Sequence, residues 1–281
     1  MSDVRKTWFI TGASSGFGHA FAIYALSKGH NVVATARNIA RLEGLSRQAP
    51  DRVLVRALDV TRPADASAAV AAAVVRFGRI DVLVNNAGFG IVGAVEETPE
   101  AELRALMETN FFGAVGVTQA ALPTLRAQRA GAIVNISSMG GQMSFPGFGA
   151  YSASKFALEG LSEALAQELK PLGVKVLIVE PGAFRTDLLG AALRHMPILD
   201  AYRETVGGTR DFAHGAHGTQ LGDPLKAAAA IEKAIEADDT PLRLQLGEDA
   251  VAAVRGHARA LLEQLEAWEA VALDTRLDAA S

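Results

Sequence analysis

The sequence contains no cysteine. That excludes a disulfide framework, a Cys-ligated metal and a thiol nucleophile, and it fits a cytoplasmic setting. Aromatic residues make up only 6% of the chain and charged residues 21%, with a formal net charge of −4. The basic field that a nucleic-acid partner requires is therefore missing. No apolar run approaches the length of a membrane span. The most apolar long stretch, Ala64 to Val75, is mostly alanine and carries Asp65, which predicts a buried helix. The opening Met1 to Thr7 has no apolar signal core, so no secretory signal is expected. His195, His214 and His217 come without a carboxylate cluster, and no metal site is expected there.

What is present is an ordinary apolar share, 49% of 281 residues, enough for a large core. Short β-branched runs at Thr7–Ile10, Asn31–Ala34, Arg52–Ala57, Val82–Val84, Ala132–Ile136 and Lys175–Val179 read as strands. They are continuously apolar rather than alternating, as strands covered on both faces are. Helix-length segments lie between them, at Gly18–Lys28, Ile39–Arg47, Ala64–Phe77, Glu100–Gln128 and Ser152–Leu172. This order predicts a Rossmann-type doubly wound parallel sheet in a three-layer α/β/α fold. The segment 184–222 shows no clear period and reads as a loop-rich lid. A helix is expected at Pro224–Glu236, an edge strand at Leu242–Leu246, and an amphipathic C-terminal helix from Asp249 to Leu273. With no internal repeat or low-complexity linker, one domain is expected over residues 1–281, its core spanning about 5–190.

The first strand runs into Thr11-Gly12-Ala13-Ser14-Ser15-Gly16-Phe17-Gly18, and a helix follows. Glycine lets backbone approach a pyrophosphate closely, and a helix N-terminus presents free N–H groups to it. The second strand ends Ala34-Thr35-Ala36-Arg37-Asn38. The position where a carboxylate would bind a ribose 2′-hydroxyl is Ala36, and Arg37 beside it can take a 2′-phosphate bidentately. NADP(H) is thus expected over NAD(H).

Tyr151 and Lys155 are one helical turn apart, so both side chains can enter one pocket. A phenol is a poor base at neutral pH. A neighbouring ammonium is expected to lower its pKa and turn it into a general acid and base. Ser138 and its neighbour Ser137 lie past the apolar strand Ala132–Ile136, where ligands of open α/β sheets bind. Asn85-Asn86-Ala87-Gly88 is a polar turn past another strand end. Asn110 lies inside the long helical segment 100–128, an unfavourable place for asparagine.

Together these motifs resemble the short-chain dehydrogenase/reductase superfamily, in its subfamily of roughly 250 residues. The matching elements are Thr11-Gly12-x-x-x-Gly16-x-Gly18, Asp59, Asn85 to Gly88, Asn110, Ser138, Tyr151-x-x-x-Lys155 and Pro181-Gly182-x-x-x-Thr186, in order over residues 7–190. The resemblance implies that Tyr151 exchanges a proton with the substrate oxygen and that Lys155 lowers its pKa and binds the nicotinamide ribose. It implies that Ser138, rather than Ser137, polarises the carbonyl, and that Asn110 holds a relay water. Gly12, Ser14, Ser15, Gly16, Phe17 and Gly18 would hold the phosphates, with Arg37 and Asn38 at the 2′ end. Asp59 and Val60 would meet the adenine, and Asn86, Ala87 and Gly88 its ribose. The segment Pro181, Gly182, Phe184 and Thr186 would meet the carboxamide. A looser similarity, in Trp8-Phe9-Ile10-Thr11-Gly12 and the long tail, is to the 17β-hydroxysteroid and retinol dehydrogenases.

The residues bordering this site are apolar: Phe89, Met139, Phe145 and Phe148, with Leu188, Leu189, Met196, Ile198, Leu199 and Tyr202 from the lid. A hydrophobic ketone, aldehyde or alcohol is therefore expected as substrate. A non-catalytic NADP-binding sensor is the alternative, and a cofactor-recycling isomerase or epimerase a further one. The resemblance implies a homodimer or homotetramer joined through the helices of 100–128 and 152–172. The stripe of Val251, Val254, Ala258, Leu261, Leu262, Leu265 and Trp268 on the last helix is expected to be buried, on its own domain or on a partner.

Overall fold

The computed structural model describes residues 5–277. The chain enters β1 (Thr7–Ile10), α1 (Gly16–Ser27), β2 (Asn31–Ala36), α2 (Glu43–Gln48), β3 (Val53–Ala57), α3 (Pro63–Phe77), β4 (Val82–Asn85) and a short β5 (Gly90–Val92). Next come α4 (Glu100–Met107), α5 (Gly113–Gln128), β6 (Ala132–Ile136), α6 (Gly149–Leu169) and β7 (Lys175–Pro181). A short β8 (Leu193–His195), α7 (Arg203–Gly215) and α8 (Pro224–Glu236) precede β9 (Arg243–Leu246) and α9 (Glu248–Leu273).

Seven strands form one sheet in the order β3-β2-β1-β4-β6-β7-β9, and every pairing is parallel. The side-chain alternation of a strand divides each apolar run between two cores. Trp8, Ile10, Val32, Ala34, Val82 and Val84 face a core capped by α1 and α8. Phe9, Val33, Leu83, Ile133 and Val176 face the other, capped by α3, α5 and α6. Both faces exclude water, which is why the strands carry no polar alternation. This is the three-layer architecture expected from the sequence.

Several expectations are corrected. The segment 100–128 is two helices, joined by a widened turn with i→i+5 bonding at Glu108–Phe112. Asn110 lies in that turn rather than in regular helix, which removes its conflict with propensity. The segment Ile39–Arg47 is a tight turn, Ile39–Leu42, followed by α2. The region 184–222 is not loop throughout, because it holds α7 and β8, and β8 pairs in parallel with β5. Those two strands are three residues each, below what a sequence pattern reveals. In α7 the buried face is Val206, Arg210 and Ala213; a charged residue in the stripe and three glycines hide its period.

Arg210 is buried because it is paired. Its Nη2 lies 2.7 Å from Glu97 Oε2, with side-chain exposures of 9% and 1%. Arg210 also donates to the carbonyls of Met196 and Pro197. Glu97 accepts from Ala94 N–H at 2.6 Å and from Leu199 N–H at 2.8 Å. Burial opposes ionisation of Glu97, but the two N–H groups and Arg210 outweigh it and hold its carboxyl below the usual range. The pair fastens α7 to the β5–α4 connection. Glu97→Ala leaves a buried guanidinium without counter-charge, and is expected to cost about 3 kcal/mol of unfolding free energy. Urea denaturation reads this directly. A loss below about 1 kcal/mol would mean the pair behaves as a solvated surface bridge.

Candidate active site

The strand order reverses between β1 and β4, which opens a crevice beyond their carboxyl ends. Thr11, the residue after β1, bridges the two strand ends. Its Oγ1 donates to Val84 O at 3.2 Å and accepts from the N–H groups of Asn86 and Ala87 at 2.9 and 3.0 Å. The Asn86 amide returns the contact, donating to Thr11 O at 2.9 Å. Between them the loop turns through Gly12 at φ +66° and Gly16 at φ +53°, a region costly for any side chain. A cavity of about 920 Å³ fills the crevice.

Most of the residues singled out from the sequence line this one cavity. Gly12, Ser14, Ser15, Gly16 and Phe17 form its floor, with Arg37, Asp59 and Val60 at one end and Asn86, Ala87 and Gly88 along one side. Ser15 precedes α1 and makes no side-chain cap, so the first N–H groups of the helix remain free toward the cavity. Pro181, Gly182, Phe184 and Thr186 form the facing wall. The Phe184 ring rests on Phe17 at 5.1 Å, and Ala183 N–H donates to Asp249 in the first turn of α9 at 2.7 Å. Burial opposes ionisation of Asp59, but Thr61 and the charges of Arg37 and Arg62 prevail and hold its carboxyl below the usual range.

Three of the residues stand outside the cavity wall. Gly18 is a packing residue: a Cβ there would come within 2.4 Å of Gly12 O. Asn38 uses its side chain to cap the next turn, accepting from Ala40 N–H at 3.1 Å. Asn110 is buried behind the wall. Its amide accepts from Phe89 N–H and donates to Phe89 O and to Ser154 Oγ, all within 3.1 Å. The side chain thus holds the turn after Asn86-Ala87-Gly88 onto α6.

The other end of the cavity carries Ser138, Tyr151 and Lys155. Ser138 follows β6 and accepts from Gly140 N–H at 3.0 Å, while Ser137 donates to Glu159 at 2.6 Å. Of the two hydroxyls, Ser138 is the one close enough to bear on Tyr151. Lys155 Nζ donates to Ile136 O at 2.8 Å and lies 5.6 Å from the centre of the Tyr151 ring. The expected depression of the phenol is not what this environment produces. Burial pushes Tyr151 up to about 12, only partly relieved by Ser138, and pushes Lys155 down to about 8 against the pull of Glu159.

Phe89, Met139, Phe145, Phe148, Leu188 and Leu189 also line the cavity, joined by Leu193 and Phe212. Met196, Ile198, Leu199 and Tyr202 do not. Met196 packs instead with Ile91 and Leu106, and the chain beyond it is drawn away by the Glu97–Leu199 bond. Sequence reasoning missed Arg41, which lines the cavity with Arg37; its spacing of four residues was the available signal. It also missed a buried cluster behind Ser138, where Arg243 lies 3.0 Å from Glu159 and 3.2 Å from Glu180. Burial raises Glu180 to about 7. A glutamate closing the apolar run Val176 to Val179 was its signal.

The Lys155 shift has a measurable sign. Its folded pKa, about 8, lies below the ordinary value, so the folded state bears the cost of a buried ammonium below pH 8 and sheds it as the pH rises toward the unfolded value. Relative to Lys155→Met, the wild-type chain should gain about 2 kcal/mol of unfolding free energy between pH 7 and pH 10. Urea unfolding of both proteins at the two pH values checks this, and parallel behaviour would refute it.

A family model for short chain dehydrogenases matches residues 6–196. An oxidoreductase of Botryotinia fuckeliana, BOA17, is 39% identical over 271 residues, 96% of this chain and 99% of that protein. A 3-ketodihydrosphingosine reductase of Bacteroides thetaiotaomicron is 39% identical over 254 residues, 85% of this chain and 86% of the other. Among solved structures, a short-chain dehydrogenase from Streptomyces avermitilis is 50% identical, with a TM-score of 0.92 over 98% of this chain and 100% of its own. ElxO with NADP bound is 27% identical, with a TM-score of 0.73 over 89% and 100%. A Burkholderia phymatum member in complex with NAD is 25% identical, with a TM-score of 0.80 over 100% and 99%. The chain therefore belongs to the short-chain dehydrogenase family, oxidoreductases that act on small molecules with nicotinamide dinucleotides.

Proposed function

We propose that this protein is an NADP(H)-dependent oxidoreductase that interconverts a hydrophobic ketone or aldehyde and its alcohol, with Tyr151 as the general acid and base. The observation that carries the reading is the single cavity with Arg37 and Arg41 at one end and Ser138, Tyr151 and Lys155 at the other.

The residues suit a dinucleotide. Cβ atoms at Gly12 and Gly88 would reach within 3.0 Å of Ala87 Cα and Asn110 Oδ1, so the loops lie as close as bare backbone permits. The free N–H groups of α1 face the place a pyrophosphate takes. Arg37 and Arg41, with Ala36 between strand and loop, favour a 2′-phosphate. The cofactor, when bound, supplies or accepts the hydride.

The chain's own residues handle the proton. Burial keeps Tyr151 a neutral phenol at pH 7, so it meets a carbonyl as a donor, in the form reduction requires. Ser138 donates to the same oxygen and holds it against Tyr151. Lys155, with a pKa near 8, exchanges protons close to neutral pH and supplies positive charge when Tyr151 becomes phenolate. Phe89, Phe148, Leu189 and Phe212 keep water from the reacting carbon. A relative named as a reductase of a 3-keto lipid supports an apolar ketone. In this reading the segment 184–222 is the substrate lid, with α7 as its rigid part.

Two outcomes follow. On a carbonyl reduced by the wild type, Tyr151→Phe should lower kcat by about 100-fold or more, while NADPH binding, followed by cofactor fluorescence, stays unchanged. NADPH binding with no turnover across a panel of ketones, and no effect of the substitution, would favour a cofactor sensor. Arg37→Ala should reduce the NADPH/NADH ratio of kcat/KM by about tenfold. An unchanged ratio sinks the cofactor assignment.

A further inference from the structure

The C-terminal helix α9 leaves the body of the protein after its first turns. Ala250 is its one buried residue, and every residue from Ala258 to Leu277 is exposed. Yet Leu261, Leu262, Leu265 and Trp268 are 51%, 56%, 62% and 67% exposed. Of the two covers expected for this stripe, its own domain or a partner, its own domain supplies none. An open apolar stripe on such an arm marks a contact surface.

The sequence of the arm says what covers it. Val251, Val254, Ala258, Leu261, Leu265 and Trp268 alternate in steps of three and four residues, the spacing of a two-stranded coiled-coil seam, with Leu262 at the position flanking it. The charges beside the seam are segregated. After the first turn the cations of α9 are Arg255 and Arg259, and the anions are Glu263, Glu266 and Glu269. A parallel pair would set Glu269 beside Gln264 of the partner subunit and Arg255 beside Ala250 of the partner subunit, so neither flanking charge would meet its opposite. An antiparallel pair sets the basic half against the acidic half. With Leu261 opposite Leu265 of the partner subunit, Arg255 falls beside Glu269 of the partner subunit, because both hold the same flanking heptad position. The arm is therefore complementary to itself, in shape period and in charge, and to itself in one orientation only.

We propose that α9 pairs antiparallel with α9 of a second copy of this chain, about a two-fold axis at the level of Leu262 and Glu263. This is an interface separate from the helices of 100–128 and 152–172, and it does not depend on the substrate or cofactor assigned above.

The absence of native cysteine makes the test clean. In the full-length protein, Leu262→Cys places two thiols across the axis, and a short bismaleimide should join the copies in high yield at micromolar protein. Leu273→Cys, far from the axis, should give little product. By light scattering, Leu265→Glu should halve the assembled mass. Arg255→Glu should weaken the assembly about tenfold, and Arg255→Glu combined with Glu269→Arg should restore it to within about threefold. These positions are exposed, so circular dichroism and NADPH binding should be unchanged in each variant. A monomeric wild type, an assembly indifferent to Leu265→Glu, or crosslinking no better at Leu262→Cys than at Leu273→Cys would each overturn the proposal. Failure of the charge exchange to restore assembly would overturn the antiparallel register.

Discussion

The geometry of the cavity depends on one buried hydroxyl. Thr11 Oγ1 ties the end of β1 to the end of β4 at the place where the strand order reverses. β1 and β4 pair directly as far as Ile10 and Val84, and the hydroxyl extends that pairing into the loops that follow them. By accepting two N–H groups from the Asn86 turn while donating to Val84, the hydroxyl satisfies backbone groups that would otherwise be lost in a dry crevice. The Asn86 amide closes the ring from the other side, and Gly18 is confined by that amide and by Gly12 O. Phosphate loop and ribose turn are thus one rigid object, and the cavity floor inherits its shape from it.

At the far end of the crevice a single cause acts on two residues in opposite directions. Removing water penalises whichever form is charged, so the same dry pocket lifts Tyr151 and depresses Lys155. The two pKa values are drawn toward a state in which the phenol is neutral and the amine titrates near physiological pH. Ile136 O compensates part of the cost of burying Nζ. Behind them, Glu159 and Glu180 share Arg243 and the amides of Gln142 and Gln245, a cluster that keeps the strand end carrying Ser137 and Ser138 from shifting.

Much of this was legible in the chain because the signals were local. Continuous apolar runs report a sheet covered on both faces, and Gly12, Gly16 and Gly18 report a backbone with no room for Cβ. Tyr151 and Lys155 report their common face by spacing alone. What escaped was set by partners distant in sequence. The widened turn at Asn110 is defined by Phe89 and Ser154; the burial of Arg210 is decided by Glu97. Asn38 shows the reverse dependence, its side chain engaged by Ala40 N–H two residues on. The expected phenolate failed for a related reason, since spacing gives the distance between charges but not the dielectric around them.

The wall of the cavity is completed very late along the chain. The glycine loop, the Asn86 turn, Tyr151 and Lys155 all precede residue 156. The wall segment after β7 is then held by β9, through Ile178 and Arg243, and by Asp249 through Ala183 N–H. A chain emerging from the ribosome therefore carries the glycine loop, Tyr151 and Lys155 long before the facing wall of the cavity is fastened. Until Asp249 arrives, the wall lacks its bond at Ala183 N–H, and the cavity stays open on the side that Pro181, Gly182, Phe184 and Thr186 close.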